Sequence, residues 1–115
     1  MSASLKSLRI EAGNLLQAGK VAEAAPVSDM ELVEKVKRGD RQAFSELVRR
    51  HQRGLLRLVL RMTRELPLAE DIVQETFIKA YEKMDLFEGR SSFKSWLYQV
   101  GLNTAKNRFR SRSHE

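Results

Sequence analysis

The chain has 115 residues, 42% of them hydrophobic, and its 21 Lys and Arg against 15 Asp and Glu give a net charge of +6. That is enough apolar material for one core and one small domain, and with no cysteine there is no disulfide framework and no thiolate metal site. The apolar runs are far too short to span a bilayer, and Lys6 and Arg9 are followed by no continuous apolar segment of the secretory type, so the protein reads as cytoplasmic.

Residues 1–27 are rich in alanine and small polar residues and contain Gly13, Gly19 and Pro26. Leu5, Leu8, Ala12 and Leu15 can line a weak amphipathic helix, so this segment is expected to be an N-terminal extension, helical or flexible. Firm structure is expected from "SDMELVEKVKRGD", where Ser28 followed by Glu31 fits a capping box. Leu32, Val33 and Val36 supply the buried side of this helix, Gly39 ends it, and Asp40 caps the next. From Asp40 to Arg64 one long helix is expected. Phe44, Leu47, Val48, His51, Leu55, Leu58, Val59 and Met62 recur on it at three- and four-residue steps. Gly54 interrupts that stripe and points to close helix packing or a bend. Pro67 cannot continue the helix. A third helix is expected from about Leu68 to Met84, with Ile72, Val73, Thr76, Phe77, Ala80 and Met84 buried. A fourth begins near Ser91 or Ser92 with Phe93, Trp96, Leu97 and Val100 as its core stripe. No segment alternates with period two, so the fold expected is all-α: a compact bundle of about four helices over residues 28–112.

Charge is distributed in blocks along this frame. Residues 1–34 carry a net −2, 35–64 a net +8, 65–88 a net −5 and 89–115 a net +5. Blocks of alternating sign suggest separate surfaces with separate partners. Arg49, Arg50, Arg53, Arg57, Arg61 and Arg64 line the polar side of the second helix, and two readings stand for them, a solvated face or contact with nucleic acid. On the third helix Asp71, Gln74, Glu75 and Ile78 stand at i, i+3, i+4 and i+7, and Glu82 extends the row. Such a face repels phosphate and suits the arginines of a protein partner, though a plain solvated face also fits. A catalytic role has no support: no second titratable group, metal ligand or glycine loop lies near it in sequence. His51 and His114 lack ligand-type neighbours at metal spacing and read as an interfacial and a tail residue.

The segment "DLFEGRSSF" joins the third and fourth helices. Gly89 permits a tight turn, and Ser91 and Ser92 either cap the following helix or leave hydroxyls and amides free to hold the edge of an unstacked base. On the last helix Gln99, Asn103, Lys106, Asn107 and Arg110 follow at four-, three-, one- and three-residue steps and make a polar, basic stripe, placed opposite Trp96, Leu97 and Val100. Amides can bond base edges, and Lys and Arg can pair with phosphate.

Several motifs in order make the pattern specific. "AEDIVQETFIKAYEKMDLFEGRSSFKSWLYQVGLNTAKNRFR" resembles conserved region two of bacterial extracytoplasmic-function (ECF) sigma factors. The family pattern D-x-x-Q-E-x-F stands here as Asp71, Gln74, Glu75 and Phe77, and F-x-G-x-S-x-F runs from Phe87 to Phe93. Trp96-Leu97 and Asn103-Thr104-Ala105-Lys106-Asn107 follow, and "DRQAFSELVRRHQ" matches the family's preceding helix, so the resemblance covers about residues 29–112. It implies a transcription initiation factor rather than an enzyme, with no cofactor. The helix bearing Asp71, Gln74, Glu75, Ile78 and Glu82 would dock on the clamp helices of the largest catalytic subunit of core RNA polymerase. The loop of Phe87, Glu88, Gly89, Arg90, Ser91 and Ser92 would capture a flipped base of the single-stranded −10 promoter element. Gln99, Asn103, Lys106, Asn107 and Arg110 would complete the DNA contact, with Asn103 and Asn107 where strands separate. Glu88 and Arg90 lie at positions that vary in the family, which bears on the base chosen. An anti-sigma factor is a further partner that the family allows. Such factors carry a second helical domain that reads the −35 element; "RFRSRSHE", residues 108–115, resembles the approach to the linker that leads to it, with the linker itself expected to start at residues 113–115. The competing expectation is a helical protein-interaction module that never touches DNA.

Overall fold

The computed structural model describes residues 27–113, which form four helices: α1 (Asp29–Lys37), α2 (Arg41–Thr63), α3 (Leu66–Glu82) and α4 (Phe93–Ser113). A 3-10 turn, Met84–Leu86, follows α3, and no strand occurs among the described residues. The helix expected on Leu5, Leu8, Ala12 and Leu15 lies outside the described residues.

Each boundary has a local cause. The Ser28 hydroxyl accepts the amide of Glu31 at 3.1 Å, and the Glu31 carboxylate in turn meets that hydroxyl at 3.5 Å. At the far end Gly39 takes φ +99°, and the amides of Gly39 and Asp40 return to the carbonyls of Val36 and Lys35. This is the paired bond pattern of a glycine-terminated helix, open to residues that accept a left-handed backbone. Asp40 then caps α2 through the amide of Ala43 at 3.2 Å. The third helix starts two residues before the expected Leu68, because Pro67 lies inside its first turn rather than ahead of it. There its missing N–H would have had no helical acceptor, so the proline costs nothing. Met84 is buried in the 3-10 turn instead of the helix proper.

The core is one cluster drawn from all four helices, with Phe44, Leu47, Leu55, Ile72, Phe77, Phe93 and Leu97 among its buried members. Two of its buried hydroxyls are satisfied within their own helices: Thr76 donates to the Ile72 carbonyl at 2.7 Å and Thr104 to that of Val100 at 2.8 Å. The core stripe of α4 departs from expectation. Phe93, Leu97, Gly101, Thr104 and Ala105 face inward, whereas Trp96 and Val100 are only half-buried. A glycine and a satisfied threonine do not register as apolar in a hydropathy pattern, so the expected stripe was turned toward the larger residues.

Two glycines bring α4 against its neighbours. A Cβ on Gly54 of α2 would lie 2.0 Å from the Tyr98 hydroxyl, and one on Gly101 of α4 would lie 2.8 Å from Leu55 Cδ1. His51 and Phe93, with ring centroids 5.6 Å apart, extend the same interface. The contacts 51 to 93, 54 to 98 and 55 to 101 rise together, so α2 and α4 run in the same direction. At the other edge of α2 a polar cluster ties down α1. Arg50 reaches Asp29 and Glu46, each at 3.1 Å, Arg49 also pairs with Glu46, and His51 Nε2 meets Asp29 Oδ2 at 2.7 Å. Hydrogen bonding from Arg49 is the main force holding the Glu46 carboxyl below its ordinary pKa, against the opposing effect of burial.

The close approach at Gly54 makes a stability prediction. Gly54→Ala should destabilise the domain, although alanine in an ordinary helix interior gains about 1 kcal/mol over glycine. In a Tyr98→Phe background the hydroxyl is gone and the nearest ring carbon stands 3.4 Å from the new methyl group, an ordinary contact. There the same substitution should become stabilising. Urea unfolding of the four proteins measures both; a Gly54→Ala effect of the same sign in both backgrounds would refute the packing account.

Candidate nucleic-acid interface and acidic docking face

The loop between α3 and α4 is held from below. The Lys37 ammonium donates to the Phe87 carbonyl at 2.7 Å, and the Phe87 ring is buried against Phe93 and Trp96, with centroids 6.1 and 5.0 Å away. Gly89 takes φ +78°, and a Cβ there would come within 3.2 Å of Met30 Cε on α1. Above these anchors the loop is open. Glu88, Gly89, Arg90, Ser91 and Ser92 are all exposed, and Arg90 and Glu88 pair loosely at 3.5 Å.

A pocket of about 160 Å³ lies in this loop, lined by Leu86, Phe87, Glu88, Arg90, Ser91 and Trp96. Its walls are aromatic and aliphatic and its rim is polar, which is the combination that takes a flat ring and hydrogen-bonds its edge. The two serines divide. Ser92 accepts the amide of Ser95 at 3.0 Å and so caps α4, while Ser91 lines the pocket and donates to the Ser92 carbonyl at 3.2 Å. Of the two readings of "SS" in the sequence, the helix cap is realised by Ser92, while Ser91 stands at the pocket. Phe87 contributes the pocket's floor rather than an exposed rim group.

Gln99, Asn103, Lys106, Asn107 and Arg110 are all exposed on α4, and Gln99 donates to Asn103 at 3.2 Å. Their placement opposite Trp96 and Val100 needs correction. Trp96 stands seven residues before Asn103 and four before Val100, so these residues share one side of the helix. The half-buried Trp96 thereby joins the pocket to the amide stripe. This relation was legible from spacing alone and was missed because tryptophan was counted with the core.

The acidic row of α3 is less exposed than expected. Asp71 and Glu82 are exposed, Gln74 and Glu75 are half-buried, and Ile78 packs its side chain partly against the core. The larger surprise is Arg108 of α4. Its Nη2 donates to Asp71 Oδ2 at 2.8 Å and its Nη1 to Glu75 Oε1 at 3.1 Å, so one guanidinium spans both carboxylates. Lys79 adds a contact to the other Glu75 oxygen at 3.2 Å. Hydrogen bonding to Asp71 first, and to Glu75 after it, raises the Arg108 pKa further above its already high ordinary value. Nothing in the sequence signals this pairing, since the partners are 33 and 37 residues apart. Among the described residues no group of three or more His, Cys, Asp or Glu is placed to hold a metal ion, and no helix is long and apolar enough to cross a membrane.

The structure thus presents a four-helix domain with an aromatic-walled loop pocket, an amide and lysine stripe beside it and an acidic helix face. The sequence model of the Sigma-70 region 2 family matches residues 47–115, and the chain belongs to that family. It is 47% identical over 79 residues to the RNA polymerase sigma-H factor of Pseudomonas aeruginosa, covering 69% of this chain and 41% of that one. It is also 47% identical over 83 residues to the ECF RNA polymerase sigma-E factor of Escherichia coli strain K12, covering 70% of this chain and 42% of that one. The chain thus spans less than half the length of these relatives. Among solved structures it is similar to an engineered region 2 of sigmaE, determined by NMR in complex with GTAAAA, with TM-score 0.71 and 41% identity over 76% of this chain and 90% of that one.

The Arg108 bridge makes a modest stability prediction. All three side chains are partly exposed, Asp71 by 60%, so solvent screens the pairing. Arg108→Met should cost at most about 1 kcal/mol of unfolding free energy, and less in high salt. A loss of several kcal/mol in chemical denaturation would mean that the bridge organises the fold rather than the surface.

Proposed function

We propose that this chain is a non-enzymatic transcription initiation module that acts in the cytoplasm, binds core RNA polymerase and recognises a −10 promoter element by capturing bases of the separated non-template strand. The observation that carries the reading is the pocket of Leu86, Phe87, Ser91 and Trp96, placed at the head of the Gln99–Arg110 stripe. Trp96 and Phe87 offer apolar surface to a base, Ser91 and the Glu88–Arg90 rim offer hydrogen bonds to its edge, and Lys106 and Arg110 meet phosphates further along. The complex of the similar sigmaE region with GTAAAA supports this assignment.

For polymerase, the acidic face of α3 is the docking surface and the clamp helices of the largest catalytic subunit are its partner. Arg108 holds the Asp71 and Glu75 carboxylates at the separation that one guanidinium spans. Each carboxylate keeps lone pairs beyond those two bonds, so an incoming arginine either shares the pair or displaces Arg108 from it.

Trp96 is the only tryptophan, so its emission reports on the pocket directly. Titration with GTAAAA should change that emission, and a scrambled hexamer should do so at least several-fold more weakly. Ser91→Ala should narrow the difference between the two oligonucleotides. Lys106→Ala should weaken both alike and flatten the salt dependence by about 0.7 in logarithmic slope, the value for one phosphate contact on a single strand. Equal responses to the two hexamers in the unaltered protein would favour a helical protein-interaction module without DNA recognition.

The docking face has a separate test. Asp71→Lys with Glu75→Lys should abolish capture of core polymerase while far-UV circular dichroism and the hexamer titration stay as they were. Undiminished capture would remove the acidic face from the interface.

A further inference from the structure

The arginines of α2 separate into two sets in the structure. Arg49 and Arg50 are half-buried and held by Glu46 and Asp29. Arg53, Arg57, Arg61 and Arg64 are exposed, and among the described residues none of them forms an ion pair. No carboxylate occurs in the chain between Glu46 and Glu65, so beyond Glu46, which Arg49 and Arg50 engage, α2 offers this row nothing of opposite sign. Arg53, Arg57 and Arg61 follow at four-residue steps, which puts them in one row, about 12 Å long, with one guanidinium per turn, and Arg64 follows at the left-handed C-cap of the helix. Like charges at that spacing destabilise a helix. A face built only for solvation mixes both signs and uses lysine freely, whereas all four positions here are arginine, the side chain whose planar fork fits phosphate.

The row continues across a helix boundary. Arg57 and Arg61 stand three and seven residues beyond Gly54 and share its side of α2. The Tyr98 hydroxyl packs on Gly54, and Lys94 lies over the Tyr98 ring, 5.5 Å from its centroid. Lys94 is thus linked through Tyr98 to the Gly54 side of α2, which Arg57 and Arg61 share. The exposed row itself holds no aromatic ring to stack on and no amide to read a base edge. Single strands are usually held with stacking platforms, while a duplex offers its phosphates outward and hides its bases.

We propose that Arg53, Arg57, Arg61 and Arg64, with Lys94, form a second DNA-binding surface that holds the phosphodiester backbone of double-stranded DNA without regard to sequence. It is separate from the pocket and the α4 amide stripe, which suit unpaired bases. The domain then carries one surface for each state of the DNA, paired and separated.

The test uses a 20-base-pair duplex of arbitrary sequence, followed by fluorescence anisotropy at several salt concentrations. A triple variant, Arg53→Gln, Arg57→Gln and Arg61→Gln, should lower the logarithmic salt slope by about 0.9 per lost contact, so by about 2 to 3 in all. The same three positions changed to lysine should recover most of the slope. A control with Lys35→Gln, Arg38→Gln and Arg41→Gln removes equal charge elsewhere and should change the slope by less than one. Circular dichroism establishes that each variant is folded, and the Trp96 response to a single-stranded hexamer should survive in the triple variant. The proposal is overturned if the triple variant and the control behave alike, or if duplex and hexamer binding fall in the same proportion. It is overturned equally if duplex binding is untouched while capture of core polymerase is lost, which would make the row a site for an acidic protein surface.

Discussion

Helix α4 lies against α2 and α3 at two glycines, and the working surfaces follow from that contact. At Gly54 the absent side chain admits the Tyr98 hydroxyl, and at Gly101 it admits Leu55 and Thr76. Helix axes approach this closely only where a Cβ is missing or small, because packed interiors leave no room to absorb an extra methyl group. With α4 seated there, Phe93 and Leu97 enter the core, Trp96 is left at its edge, and Arg108 comes within reach of α3. Had these two positions carried larger side chains, α4 would stand off, and the pocket wall and the acidic bridge would both be lost.

The same seating sorts the charges. A domain with net charge +6 keeps an acidic face by placing Arg108 over it, so that two carboxylates are paired within the fold rather than left to repel each other. Of the α2 arginines, Asp29 of α1 and Glu46 of α2 engage only Arg49 and Arg50. The remaining cations are exposed, and the net positive charge is concentrated along one side of α2 and on the outer face of α4. This division leaves acidic and basic groups on different regions of the surface. Much of the charge of the acidic helix is answered locally.

The loop pocket shows a different economy. It has no secondary structure of its own, yet its floor is fixed by Phe87 in the core, by a lysine from α1 on a backbone carbonyl and by a glycine passing close to Met30. The rim, from Glu88 to Ser92, is exposed. Rigid walls under a polar edge need little ordering when a ligand enters, whereas ordering a floppy site on binding would consume affinity.

Much was legible in the sequence because it depends on neighbours along the chain. The helices, the Ser28 and Asp40 caps, the Gly39 stop and the all-α class follow from spacing and backbone preference, which act over three or four residues. The loop and the acidic row were legible for the same reason, as ordered short motifs. What failed was the rotation of α4. Gly101 and Thr104 face the core without looking apolar, and Trp96 looks apolar while standing at the edge. Arg108 on Asp71 and Glu75, Lys37 on the Phe87 carbonyl and the separation of the α2 arginines into held and exposed sets were beyond reach. Each depends on which helices touch and at what depth, and that is decided by close packing across 20 to 50 residues of chain. Local preference specifies the helices; only their mutual packing determines which charge meets which.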